Sequence, residues 1–143
     1  MPVDAFGSVV DALARRDLTE QELDARLDRA GYDEDARADA LARARDAGYL
    51  DDERVAHERA GHLAERGASD AAIRADLARR GLPDELVSAA LAAVPPEMDR
   101  ATAVAAKLGG GPRAARALAR KGYAEDTIER VVGGELQRGG EQG

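Results

Sequence analysis

Three short stretches share a pattern that decides the fold: LDRAGY at residues 27–32, LARRGL at residues 77–82 and LARKGY at residues 118–123. In each stretch a leucine is followed four residues later by glycine and then by a large apolar residue. The glycines are Gly31, Gly81 and Gly122, so the pattern recurs after 50 and then 41 residues, a spacing typical of stacked helical repeats. The sequence therefore predicts three copies of one helical unit.

The pattern marks the end of a helix, because glycine adopts the left-handed backbone that closes a helix without steric cost. Apolar residues four apart lie on one face of that helix. The matching pairs are Leu23 and Leu27, Ile73 and Leu77, and Ala114 and Leu118. The same helix has a plausible start in every copy: Thr19 with Glu22 forms a capping box, Ser69 takes the place of Thr19, and Gly111-Pro112 supplies a proline at the first turn.

Helices are predicted on both sides of this central one. An apolar stripe precedes it, and acidic clusters that suit a helix N-terminus follow it. Gly48 and Pro95-Pro96 end the first and second units. The fold class is therefore all-α, with three tandem three-helix repeats in an elongated, curved array. The predicted units are residues 1–50, residues 51–94 and a shortened third repeat, residues 95–138, before a disordered tail at residues 139–143.

Composition excludes several classes of protein. Of the 143 residues 44% are hydrophobic, mostly alanine, which favours helix over sheet. Cysteine is absent, which removes disulfides and thiolate chemistry, and no apolar run reaches the roughly 20 residues of a membrane span. We expect a cytoplasmic monomer without a membrane association.

Candidate catalytic features have simpler explanations. His57 and His62 are five residues apart, which turns their rings about 140° from each other on a helix and does not suit a shared zinc ion. The acidic pairs stand at predicted helix starts, where capping explains them. Gly109-Gly110-Gly111-Pro112 lacks the lysine of a phosphate-binding loop. We predict no enzyme, no catalytic residue, no metal and no cofactor.

Charge is distributed unevenly along the chain. The net charge is −7, with −5 in residues 1–50 (7 basic, 12 acidic), −3 in residues 51–94 (6 and 9) and +1 in residues 95–143 (8 and 7). Residues 100–124 hold no acid and six cations: Arg100, Lys107, Arg113, Arg116, Arg120 and Lys121. That stretch is the one candidate electrostatic footprint for a polyanion.

Some cations recur with the repeats. Arg29, Arg79 and Arg120 stand two residues before the three glycines, and Arg80 and Lys121 follow two of them. Compensation of the helix dipole explains one cation per helix end, but Arg113 and Arg116 extend the row along one helix. The predicted binding residues are Arg29, Arg79, Arg80, Arg113, Arg116, Arg120 and Lys121.

The chain resembles the RecX family. The resemblance lies in Ala12 to Thr19, Gly31-Tyr32, Gly48 to Ala56, the segment Ile73 to Leu82 and the last pattern, Leu118 to Tyr123 with Ile128. The most specific part is Gly48-Tyr49-Leu50-Asp51-Asp52.

The resemblance implies a non-enzymatic regulator in homologous recombination, DNA repair and the SOS response. Family members bind RecA filaments on single-stranded DNA and usually restrain ATPase and strand exchange, and their basic residues are thought to meet nucleic acid or the filament. Two alternatives remain open. One is a helical nucleic-acid-binding module that acts without RecA, and the other is a structural adaptor for another protein.

Overall fold

The computed structural model describes residues 4–141 of the chain, with side chains for residues 4–133. Within that range the protein consists of nine helices and no strand, as the alanine-rich sequence predicts. In chain order they are α1 Ala5–Arg15, α2 Glu20–Arg29, α3 Glu34–Asp46, α4 Asp52–Glu65, α5 Asp70–Arg79, α6 Asp84–Ala93, α7 Glu97–Leu108, α8 Gly111–Arg120 and α9 Glu125–Glu141. The prediction of an all-α repeat fold is confirmed.

The helices pack in three groups, which we call repeat 1 (α1–α3), repeat 2 (α4–α6) and repeat 3 (α7–α9). Every extensive helix–helix contact lies within one group, and each group has its own cluster of buried apolar side chains. The hydrogen bonds and ion pairs found between described residues of different groups join repeat 1 to repeat 2 or repeat 2 to repeat 3. This is the contact pattern of a linear repeat array.

The end of the middle helix in each repeat has the geometry that the pattern predicts. Gly31, Gly81 and Gly122 have φ of 94°, 82° and 94°. The next amide donates back to the leucine carbonyl five residues earlier, as from Tyr32 to Leu27 at 3.1 Å. This is a Schellman motif, in which the leucine and the apolar residue after glycine also contact each other. The repeated six residues are thus the sequence of one helix ending.

The start of each middle helix is also as predicted. In repeat 1 the Thr19 hydroxyl accepts from the Glu22 amide at 3.1 Å, and the Glu22 carboxylate accepts from the Thr19 amide at 2.9 Å. In repeat 2 the Ser69 hydroxyl accepts from the Ala72 amide at 3.0 Å. In repeat 3 the helix begins with Pro112 in the first turn and no side-chain cap.

The core of repeat 3 contains the fewest large side chains. The predicted pairs on the middle helices are all buried, but repeat 3 uses Ala114 where its siblings use Leu23 and Ile73. Its cluster has only three large buried members, Leu118, Tyr123 and Val131. The helix α9 includes residues 139–141 of the predicted tail, and residues 142–143 lie outside the described residues, so the disorder of that tail and the repeat boundaries stay predictions.

Two glycines with the same φ provide a matched test of the contacts between repeats. A Cβ at Gly122 would lie 2.6 Å from the Ser69 hydroxyl and 3.1 Å from the Ala72 Cβ, whereas one at Gly31 would meet nothing within 4 Å. We expect Gly31→Ala to cost only the left-handed strain, about 1 kcal/mol, and Gly122→Ala to cost at least about 1 kcal/mol more. Chemical denaturation followed by circular dichroism measures both. Equal destabilisation would show that the Gly122 contact contributes nothing.

Candidate cationic interface

The middle helices of the three repeats meet end to end. The Thr19 hydroxyl at the start of α2 donates to the Arg80 carbonyl at the end of α5, at 2.6 Å. The Ser69 amide at the start of α5 donates to the Lys121 carbonyl at the end of α8, at 3.1 Å. Each contact joins the negative end of one helix dipole to the positive end of the next. The helices α8, α5 and α2 therefore follow one another end to end in one column. This column carries most of the predicted binding residues.

Five predicted residues lie exposed on this column: Arg29, Arg79, Arg113, Arg116 and Arg120. Only Arg79 has a described carboxylate within 4.0 Å, that of Asp76 at 3.8 Å, and its side chain is still 71% exposed. The three arginines of α8 are three and four residues apart, so they form a row along one side of the helix. We call Arg113, Arg116 and Arg120 the α8 row.

Only in repeat 3 are all three positions of the row basic. Aligned on the glycines, the positions of the α8 row correspond to Ala72, Ala75 and Arg79 in α5 and to Glu22, Ala25 and Arg29 in α2. The charge of these three positions therefore rises from zero in repeat 1 to +1 in repeat 2 and +3 in repeat 3. The column presents a charge gradient, with its most cationic end on α8.

The other two predicted residues are engaged in joints between repeats. Arg80 is 21% exposed, pairs with Glu22 of repeat 1 at 3.1 Å and donates to the Asp17 carbonyl at 3.0 Å. Lys121 donates to the Arg66 carbonyl of repeat 2 at 2.8 Å. Because both residues directly precede the glycine of the pattern, each extends a long cationic side chain to the preceding repeat. They do not lie with the α8 row.

Arg100 is the residue whose role the sequence did not reveal. Its side chain is 4% exposed, and it donates to the Ala68 carbonyl, to the Pro95 carbonyl at 2.6 Å and to the Asp70 carboxylate at 2.6 Å. It belonged to the acid-free stretch, but burial removes it from any surface footprint. The repeat alignment offers one sign of an internal role for Arg100. Its counterpart in repeat 2 is Arg59, which pairs with Asp76 of the same repeat at 3.0 Å.

The joint between repeats 2 and 3 is the more buried one. Three successive carbonyls of repeat 2, those of residues 66–68, accept hydrogen bonds from side chains of repeat 3. The donors are Lys121, Tyr123 at 2.8 Å, and Arg100. Burial raises the pKa of the Tyr123 hydroxyl, which stays a neutral donor at physiological pH.

The joint between repeats 1 and 2 is more exposed and rests on ion pairs. Arg54 contacts Asp17 at 3.2 Å with both side chains 43% exposed, and the Asp52 carboxylate accepts from the Glu20 amide at 2.9 Å. Burial, with help from the neighbouring Asp51 and Glu22 charges, raises the pKa of Asp52. We therefore expect this joint to be the more sensitive to salt and pH.

Neither a metal site nor a membrane-spanning helix is found among the described residues. His57 is half-buried and His62 is exposed on α4. Within the described part of the chain, no three His, Asp or Glu side chains are grouped as a metal site, and no helix is both long and apolar enough to cross a bilayer.

Comparison with known proteins identifies the family. The model described as the first three-helix domain of RecX matches residues 5–43, and that of the second three-helix domain matches residues 51–91. A protein named regulatory protein RecX from Mycolicibacterium smegmatis is 32% identical over 87% of this chain and 75% of its own length. The chain belongs to the RecX family. A RecX from Stenotrophomonas maltophilia is 30% identical over 84% of this chain and 80% of its own length.

Solved RecX structures share the fold. The crystal structure of RecX from Lactobacillus salivarius superposes with a TM-score of 0.74 over 90% of this chain and 92% of that one, at 16% identity. A second structure, of a regulatory protein RecX, gives 0.71 over 89% and 69%, at 20% identity. The two matched domain models correspond to repeats 1 and 2, so the family resemblance expected from the sequence is confirmed.

Glu22 makes the joint between repeats 1 and 2 dependent on pH. Burial opposes ionisation of its carboxyl, but the Thr19 amide and Arg80 outweigh that and hold the pKa of Glu22 below its ordinary 4.5. A lowered pKa in the folded state stabilises above pH 4.5, and the contribution is lost as the pH falls through the lowered value. Glu22→Gln should therefore destabilise by about 1 kcal/mol at pH 7, with the difference from wild type vanishing in acid.

The measurement is denaturant unfolding of both proteins between pH 7 and strongly acidic pH. Glu85→Gln is the matched control, because Glu85 is also in the first turn of a helix but is exposed and has no such partners among the described residues. The control should change stability by no more than about 0.5 kcal/mol. A pH-independent difference for Glu22→Gln would contradict the role assigned to its charge.

Proposed function

We propose that this protein regulates RecA recombinase without catalysing a reaction itself, by binding RecA filaments on single-stranded DNA and restraining their ATPase and strand exchange. Membership of the RecX family supports RecA as the target. Such a function belongs to the cytoplasm, to homologous recombination and DNA repair, and to the SOS response.

The observation that carries the proposal is the graded row of cations on the α8–α5–α2 column. Arg113, Arg116 and Arg120 are exposed and have no described carboxylate within 4.0 Å, so no internal contact accounts for them. Arg79 and Arg29 continue the row at one position per repeat. A helical filament that carries nucleic acid offers negative charge at regular steps, and a repeat array can follow such a surface.

The overall charge of the protein favours the filament over bare DNA. The three arginines of the α8 row would neutralise about three phosphates. For a single strand this gives a slope of only about −2 in the logarithm of the binding constant against the logarithm of the salt concentration. The remaining surface is acidic, with a net charge of −7 for the whole chain. Contacts to RecA protein would supply the affinity that so few phosphate contacts cannot.

A direct test measures RecA ATPase on single-stranded DNA while the protein is added. We expect the wild type to lower the rate at substoichiometric amounts, and Arg113→Ala/Arg116→Ala/Arg120→Ala to need at least about tenfold more protein for the same effect. Three lost charge-assisted contacts of about 0.5–1 kcal/mol each account for that factor. An unchanged rate with wild-type protein would refute the proposal.

The control variant is Arg15→Ala/Arg16→Ala/Arg130→Ala. These three arginines are exposed, have no described ion-pair partner and lie off the α8 row, so the change of net charge is the same. It should retain nearly all of the inhibition. Equal losses in both variants would mean that net charge, and not the row, determines binding.

Binding to DNA alone separates the second candidate, a nucleic-acid-binding module that acts without RecA. The unpartnered α8 row is the observation that favours it. Titration of a labelled single strand over a range of salt concentrations should then show a slope near −2 that the triple alanine variant abolishes. Tight binding to the naked strand with no effect on RecA would support this candidate instead.

A further inference from the structure

The three repeats share one groove, which lies between the first and middle helices. In repeat 2 it has a volume of about 200 Å³ and is lined by Glu58, Arg59, His62 and Arg80. Subtracting 50 from these residue numbers gives the equivalent positions in repeat 1, and adding 41 gives those in repeat 3. They are Ser8, Val9, Ala12 and Ala30 in repeat 1, and Asp99, Arg100, Ala103 and Lys121 in repeat 3. All eight line grooves, of about 250 and 470 Å³.

In repeats 2 and 3 this groove receives the preceding repeat. Asp17, from the α1–α2 connection, lines the repeat 2 groove, and residues 64–67, from the end of α4 and the α4–α5 connection, line the repeat 3 groove. The cation before the glycine then reaches a carbonyl of that connection, Arg80 to Asp17 and Lys121 to Arg66. The protein thus uses one type of joint twice.

A joint consists of two parts, a groove in one repeat and a connection from its neighbour. Repeat 1 has a groove, and repeat 3 has a connection, that contacts no partner among the described residues; we call them the two unused halves. In repeat 1 the groove holds no other segment of residues 4–141, and a Cβ at Gly31 would meet nothing within 4 Å. In repeat 3 the α7–α8 connection is open, because Cβ atoms at Gly109 in the connection and at Gly111, the first residue of α8, would also meet nothing within 4 Å.

The two unused halves carry fewer charged side chains than their counterparts in the joints. The repeat 1 groove has Val9 where the other repeats have Arg59 and Arg100, and Ala30 where they have Arg80 and Lys121. Leu108, the last residue of α7, stands where repeat 1 has Asp17, and it packs half-buried against the core cluster of its own repeat. In the first joint the Asp17 carboxylate pairs with Arg54 of repeat 2. The glycines of the α7–α8 connection bring no charged side chain, and among the described residues that line the repeat 1 groove only Arg26 is charged.

The two unused halves match in charge. Residues 1–50 carry −5, and the exposed Asp11 and Asp28 lie on the two helices that border the groove, beside Arg26 in its lining; Asp28 also pairs with Arg37 at 3.3 Å. Residues 95–143 carry +1, and the exposed Lys107 precedes Leu108 without a described carboxylate partner. Opposite charge at the two ends favours their approach.

We propose that the repeat 1 groove binds the α7–α8 connection of a second copy of this chain, so that copies associate head to tail through a third instance of the repeat joint. The contact is heterologous, and its growth is open unless the rotation between copies closes a ring. The inference rests on the fold and not on the proposed action on RecA, and it departs from the monomer expected from the sequence.

Ala30 allows substitutions of opposite sign at one exposed position. Ala30→Lys supplies the cation that repeats 2 and 3 possess, and its ammonium would donate to the Lys107 carbonyl of the second copy. Ala30→Glu places a carboxylate against the same carbonyl, and the short-range repulsion between two hydrogen-bond acceptors outweighs the added long-range attraction to the basic end. We expect the dissociation constant for self-association to fall about 3- to 10-fold with Ala30→Lys and to rise by a similar factor with Ala30→Glu.

Sedimentation velocity from about 10 µM to about 1 mM covers the range of weak interfaces. The mean mass of the wild type should increase steadily with concentration, and circular dichroism should show the same helix content in all three proteins. A wild type and Ala30→Lys variant that both remain monomeric at the highest concentration would overturn the proposal. So would equal association of the two variants.

A mixing experiment tests whether the contact is head to tail. Ala30→Glu impairs the groove end, and Lys107→Glu impairs the connection end, so each variant alone should associate less than the wild type. An equimolar mixture retains one intact groove and one intact connection and should form 1:1 pairs that do not grow further. If mixing restores nothing, the two ends do not meet and the proposed interface is wrong.

Discussion

The end-to-end contact between middle helices is the constraint on which the array depends. Each repeat buries its own apolar cluster, so the hydrophobic effect stabilises three separate bodies and does little to orient one against the next. Orientation comes from a few polar contacts, in which the orphan carbonyls at one helix end accept from groups at the start of another. The column of α8, α5 and α2 and the row of cations on it follow from these contacts.

Glycine serves this contact in two ways at once. At Gly122 the positive φ ends α8, and the missing side chain lets the start of α5 approach to a distance that a Cβ would prevent. At Gly31 only the first requirement applies. The same six-residue motif can therefore end a helix anywhere in the chain, yet act as a docking surface only where another helix start is present.

The two joints achieve the same geometry with different chemistry. The first uses the exposed Arg54–Asp17 pair and the half-buried Arg80–Glu22 pair, whereas the second uses the buried Arg100 and the Tyr123 hydroxyl on consecutive carbonyls. Buried, hydrogen-bonded charges resist salt, and exposed pairs do not. The array is thus firmly connected on the cationic side, next to the α8 row, and more adaptable toward repeat 1.

The sequence by itself determined the helices, their endings, their caps and the family, because a Schellman ending or a capping box is made by residues within six positions of one another. It also determined that Arg113, Arg116 and Arg120 share one side of a helix. Which cations are available for binding depends instead on contacts between the repeats. Arg100, Arg80 and Lys121 look the same as their neighbours in the sequence, but their partners lie 30 to 63 residues away, and nothing local indicates such contacts.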